Sequence, residues 1–247
     1  MPVALCCVPV LTGCGNHRGN TSSEPLYVAE CDGAKTATDL VILDWYGGTS
    51  KIYPDDEFPG LDFASFETAD GGTLADAPQA FQDAVRREVL RILCDQPSIS
   101  VAVQNEKDRL EINATTIYVV QATSQVGGGQ IGEGEYDLCN LQHDNSALIF
   151  GEELLDLPGT YSFDDWVQIF ANVAAHEIGH TLGFGHVPRT EHRGGEHALF
   201  VELMLAGHTV DEMIRPQRFL SDETNCPTAT TRLRRTDIGS LTCEITE

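Results

Sequence analysis

Long hydrophobic runs are missing from this 247-residue chain: no stretch reaches eighteen apolar residues, so no segment reads as a spanning helix. Positive charge is scarce. Fifteen Lys and Arg stand against 38 Asp and Glu, a formal charge of −23. Such a surface repels phosphate backbones and anionic head groups, so nucleic acid is not an expected partner. No CxxC pair occurs among the eight cysteines, which argues against a cysteine-built zinc site or thioredoxin-like redox chemistry. Neither is the chain poor enough in apolar residues for disorder. At 41% hydrophobic and 21% charged it has the composition of a globular protein able to bury a core without disulfides.

The beginning differs from the rest. Residues 1–14 form a short apolar run ending in Leu11-Thr12-Gly13-Cys14, which resembles the lipobox of bacterial lipoproteins, although no Lys or Arg precedes it. That resemblance implies an exported protein, extracellular or anchored in the cell envelope through a lipid on Cys14, and no other membrane contact. With Cys6, Cys7 and Cys14 set aside, Cys31, Cys94, Cys139, Cys226 and Cys243 remain. Their number is odd, so at least one is unpaired within the chain; Cys226 and Cys243 bracket a short loop and are the disulfide candidate. Residues 15–38 are polar and rich in Gly, Ser, Thr and Asn, a tether by composition.

From residue 39 the patterning becomes that of a folded domain. Leu40 to Tyr46 reads as a buried strand ended by Gly47-Gly48, and the acidic, Pro- and Gly-punctuated stretch 49–77 reads as loop. Pro78 opens a helix whose apolar face is Phe81, Val85, Val89, Ile92 and Leu93. Strands are expected at 99–103, 115–121 and 147–150, with Gly127-Gly128-Gly129 and Gly132 read as a loop. The order strand, helix, strand, strand, strand gives an α/β layer with its sheet covered on one side. Ser162 with Asp165 three residues on forms a helix-capping pattern, and Trp166, Ile169, Phe170 and Val173 continue one face to His176 and His180.

That face ends in His176-Glu177-Ile178-Gly179-His180-Thr181-Leu182-Gly183-Phe184-Gly185-His186. Two histidines four residues apart stand one turn apart on one face, near enough to hold a single zinc. Glu177 follows the first histidine and reaches a water in the open position without being a ligand, as a general base must. Gly183 lets the helix stop and the chain reverse, bringing His186 back as a third nitrogen ligand. Three protein ligands with an open fourth place describe a catalytic zinc site. At this chain's His and Glu frequencies, His-Glu-x-x-His arises by chance in about 2% of such sequences; requiring the further Gly and His lowers that to about six in a hundred thousand.

The motif resembles that of the metzincin zinc endopeptidases, and within them the matrixin-like secreted proteases of bacteria. All five fixed positions of His-Glu-x-x-His-x-x-Gly-x-x-His are met. The resemblance implies a zincin fold over residues 39–247: an upper part, 39–183, with a twisted, mostly parallel sheet and an antiparallel edge strand, and a small irregular lower part, 184–247. It also implies a methionine turn beneath the metal, with Met204 the candidate and Met213 the alternative. Leu43 to Gly47 is similar to the first strand of such domains, residues up to Phe150 to the loop and edge strand lining the groove, and Thr236 to Leu241 to a closing helix. The implied activity is zinc-dependent endopeptidase cleavage of a protein or peptide substrate by a monomer, with Glu177 as the base. The chain departs from the pattern in having no tyrosine after Met204 and no Pro-Arg-Cys-Gly switch; Cys31 upstream is the residue that could cap the metal instead.

Two other classes fit the same residues: a zinc-bearing surface binding protein with little turnover, and a narrow-specificity processing peptidase or aminopeptidase. The remaining histidines carry less. His143 is a surface-loop residue or part of a second metal site, and His192, His197 and His208 read as surface. Asp55, Asp56 and Glu57 form an acidic loop suited to Ca2+ or simply to water, without the spaced ligands of an EF-hand.

Overall fold

The computed structural model describes residues 39–94, 101–105, 114–125, 129–137, 142, 144–187, 201–205 and 207–218. The expectations for Cys14, Cys31, Cys139, Cys226, Cys243, His143, His192, His197, the tether 15–38 and the helix at Thr236 to Leu241 lie outside them.

The protein is mixed α/β with a mostly parallel sheet. Strand β1 (Asp39–Asp44) is followed by β2 (Gly47–Gly48), β3 (Phe58–Pro59), helix α1 (Pro78–Cys94), β4 (Val101–Gln104), β5 (Thr115–Val120), β6 (Gly132–Gly134) and β7 (Ser146–Phe150). Helices α2 (Gly151–Leu155) and α3 (Phe163–Thr181) come next, then β8 (Val201–Glu202), α4 (Val210–Met213) and β9 (Gln217–Arg218). The main sheet runs β4-β1-β5-β7-β6, with β1 parallel to β4 and β5, β5 parallel to β7, and β6 antiparallel to β7 at the edge.

Alternation along the strands sorts side chains to two faces. Val41, Leu43, Ile117, Val119, Ala147 and Ile149 belong to the main core with α1 and α3; Tyr118, Val120, Leu148 and Phe150 form a second cluster with Phe58, Ile52 and Tyr53. The acidic stretch read as loop packs on both sides: Ile52, Tyr53 and Phe58 cover the sheet's second face, while Leu61, Phe66 and Leu74 join the main core. It carries β3 and two 3-10 turns, Phe63–Ser65 and Leu74–Asp76, elements too short to leave a periodic signal. Helix α1 begins at Pro78 and buries all five residues of its expected face. Against it, Phe170 of α3 packs edge-on to Phe81 at 5.3 Å and to Phe66 at 5.4 Å. Each such ring, fully buried, contributes about 1.5–3 kcal/mol.

Helix α3 starts where the capping pattern predicted. Ser162 Oγ accepts from the Asp165 N–H at 3.1 Å, and Asp165 Oδ2 accepts from the Ser162 N–H at 2.9 Å. From there it runs nineteen residues through the core and delivers its last turn to the sheet edge. Asn172 anchors the segment beneath it, donating through Nδ2 to the carbonyls of Met213 at 2.7 Å and Arg215 at 2.9 Å.

Candidate metal centre

The end of α3 and its reversal set the site. Gly183 adopts φ +88°, its N–H donates to the His180 carbonyl at 2.9 Å, and the Phe184 N–H donates to Gly179 at 2.9 Å. This paired closure needs a left-handed residue after the helix, which glycine accepts without a steric penalty. The chain then returns past the helix end and brings His186 to His176 and His180.

Orientation of the imidazoles is fixed from behind. His176 Nδ1 donates to the Leu203 carbonyl at 2.7 Å and His180 Nδ1 to the Phe184 carbonyl at 2.8 Å. A carbonyl only accepts, so both rings carry their proton on Nδ1 and present a bare Nε2. These Nε2 atoms stand 3.2 and 3.1 Å from His186 Nε2. Burial, with the neighbouring imidazole adding to it, holds His176 well below its usual pKa; burial lowers His180 to about 4 and also lowers His186. With the His186 proton also on Nδ1, three lone pairs would converge on one point, where a cation relieves their repulsion; with it on Nε2, that N–H would donate to a neighbouring bare Nε2. Tetrahedral bonds of 2.0–2.1 Å would separate neighbouring ligand nitrogens by about 3.3 Å, so the spacing fits a first-row divalent ion. Among the described residues this is the one group of three side chains able to hold a metal ion. Asp55, Asp56 and Glu57 are exposed and form no such group, and Asp56 Oδ2 accepts from Gln125 Nε2 at 3.0 Å.

Glu177 lies beside the imidazoles. It is buried, its Oε2 has no hydrogen-bond partner, and burial, with the Glu133 charge adding to it, pushes its pKa up to about 8. An orphaned carboxylate oxygen next to a metal-ready cluster has the chemistry of a proton acceptor awaiting a water. A cation among the histidines would draw the pKa back down.

The wall over Glu177 is β6. A β-carbon on Gly132 would overlap the Glu177 carboxylate, and one on Gly134 would lie 3.0 Å from its Oε2. Gly132, expected in a loop, is thus strand residue and spacer, a role dictated by a contact 45 positions away that the local pattern does not carry. The edge strand is β6, whereas Ser146–Phe150 lies inside the sheet. The Phe150 N–H donates to Ile131 and the Glu135 N–H to Ser146, so by alternation the backbone groups of Gly132 and Gly134 point away from the sheet. One of them, the Gly132 carbonyl, accepts from Gln130 Nε2 at 2.9 Å.

Below the imidazoles, Val201 to Leu205 forms a turn. Met204 is fully buried in it, its N–H donating to Glu202 Oε1 at 3.0 Å and its carbonyl accepting from the Val187 N–H at 2.7 Å. The alternative, Met213, is buried on α4 and lines the cavity instead. His208, read from sequence as surface, is half-buried: its ring stands edge-on to His176 at 5.8 Å and its Nε2 donates to the Glu202 carbonyl at 2.9 Å. Nothing local in the sequence distinguishes it from a loop histidine. A cavity of about 580 Å³ opens beside the cluster, bounded by Gly132, Gly134, Val173, Leu205, Met213 and Gln217.

The chain matches no known family model. It also matches no curated protein sequence.

Proposed function

We propose that this chain is a zinc-dependent endopeptidase of the metzincin type. The observation that carries the reading is the convergence of three Nε2 atoms, those of His176 and His180 bare, beside the unpartnered Glu177 Oε2, at the mouth of a cavity walled by a sheet edge. His176, His180 and His186 are the metal ligands. When bound, zinc supplies Lewis acidity toward a peptide carbonyl and toward a water.

The chain's own groups do the rest. An extended peptide lies along β6 and bonds the outward N–H and C=O groups of Gly132 and Gly134, displacing the Gln130 amide from the Gly132 carbonyl. Recognition of that kind reads main chain, as an endopeptidase requires. Glu177 Oε2 accepts the proton of the attacking water and returns it to the leaving amine nitrogen. Gly132 and Gly134 leave room for its carboxylate beneath β6, and the Leu203 and Phe184 carbonyls keep His176 and His180 turned toward the ion. The Met204 turn supports the reading because it carries the Leu203 carbonyl. Calcium has no support of this kind among the described residues.

The test is Glu177→Ala with metal content and peptide turnover measured on the same sample. Unchanged zinc with turnover reduced by about 10²–10⁴-fold is expected. Retained turnover would mean that another group is the base.

A further inference from the structure

The cavity beside the imidazoles is mostly apolar where Val173, Leu205 and Met213 face it, yet two buried amides, Asn172 and Gln217, also line it. Asn172 is fully engaged. Its Nδ2 donates to the Met213 and Arg215 carbonyls and its Oδ1 accepts from Gln168 Nε2 at 3.0 Å.

Gln217 is different. Only 1% exposed, it donates through Nε2 to the Glu212 carbonyl at 3.1 Å. A carbonyl can only accept, so this bond fixes which end of the amide is nitrogen. The end left over is Oε1, buried and without a hydrogen-bond partner among the described residues. A buried acceptor that has given up water with no replacement gains from any donor brought to it, and because Gln217 lines the cavity, a small turn of its amide would present Oε1 to a donor there.

The walls limit what that donor can be. A chain long enough to cross apolar surface before reaching Gln217 needs an apolar body. An ammonium or guanidinium would sit against one amide oxygen, and the carboxylates lining the cavity, Glu133 and Glu177, lie on β6 and at the metal end of α3 rather than beside β9. A charge buried on so little compensation is disfavoured, so the tip is neutral.

We propose that Gln217 is a specificity-determining residue, and that the cavity takes a substrate side chain adjoining the scissile bond with an apolar body and a neutral hydrogen-bond donor at its tip, tyrosine or glutamine in preference to phenylalanine or methionine. This rests on the peptidase reading and names the substrate class for the same site.

The experiment compares kcat/KM of the zinc-loaded chain on peptides differing only beside the cleaved bond, as the shape-matched pairs Tyr against Phe and Gln against Met. At least one pair favours the donor by about ten- to a hundred-fold, and the preference collapses in Gln217→Met, which keeps the length of the side chain. A binding readout runs alongside: the metal-free chain binds N-acetyltyrosinamide more tightly than N-acetylphenylalaninamide, followed by NMR. Equal rates within both pairs, or a preference that persists in Gln217→Met, overturn the inference while leaving the peptidase reading intact. The parent comparison stands by itself if the variant does not fold. No chelator-sensitive cleavage of any peptide removes the peptidase reading, and this inference with it.

Discussion

Gly132 and Glu177 are fitted to one another: the glycine on the edge strand leaves room for a buried carboxylate that a single added methyl group would strike. Both residues line the cavity, and the buried Oε2 of that carboxylate has no hydrogen-bond partner. Gly132→Ala is therefore expected to displace the Glu177 carboxylate while leaving the histidines in place. Peptide turnover should fall by about 10²-fold, the loss that an ångström-scale misplacement brings, with zinc content unchanged. Metal analysis and kinetics on one preparation check this; full activity in the variant would mean that the carboxylate position does not matter.

His186 arrives from beyond the helix and is the most exposed of the three clustered histidines. His186→Ala should leave α3 folded, because His176 and His180 keep their carbonyl partners. Zinc should be lost on dialysis against buffer that the parent survives, since two imidazoles make an incomplete site. Retained zinc at parent stoichiometry would assign the third ligand elsewhere.

The metal-free protein should be most stable near pH 6.5–7. Glu177 has a folded pKa of about 8 against 4.5 unfolded, so the folded state holds the extra proton and stability rises as pH falls from 8 through that window. His176 and His180 work the other way. Their folded pKa values lie below 6.5, at about 4 for His180, so below pH 6.5 the unfolded chain takes up protons that the folded one refuses. These imidazoles, with His186 shifted the same way, outweigh one carboxyl, and stability declines below pH 6.5 by about 1.4 kcal/mol per pH unit for each net proton. Chemical denaturation across pH 4.5–8.5 checks this, and Glu177→Gln should remove the alkaline loss alone. A flat profile would mean that these groups titrate normally.

Much of this was legible in the sequence because it is written at short range. The Ser162–Asp165 cap, the apolar face from Trp166 to Val173, the His176–His180 spacing and the Gly183 stop all follow from helix geometry, and the structure places them accordingly. Gly132 was hidden for the opposite reason. In isolation it looks like loop, and what makes it strand is pairing with Ile149 and clearance for Glu177. His208 and Gln217 were hidden too, because their placement depends on the chain folding back under α3, where Asn172 bonds the Met213 and Arg215 carbonyls. Sequence spacing brings the three histidines together, whereas the cavity beside them is a tertiary product.

A peptidase of this kind performs metal-dependent cleavage within peptide chains. The most direct measurement is mass spectrometry of a mixed peptide library after incubation with the zinc-loaded chain, with and without chelator. Internal cuts that disappear with chelator and return with added zinc are the predicted result. An intact library from protein shown to contain zinc, or trimming confined to free N-termini, would contradict it.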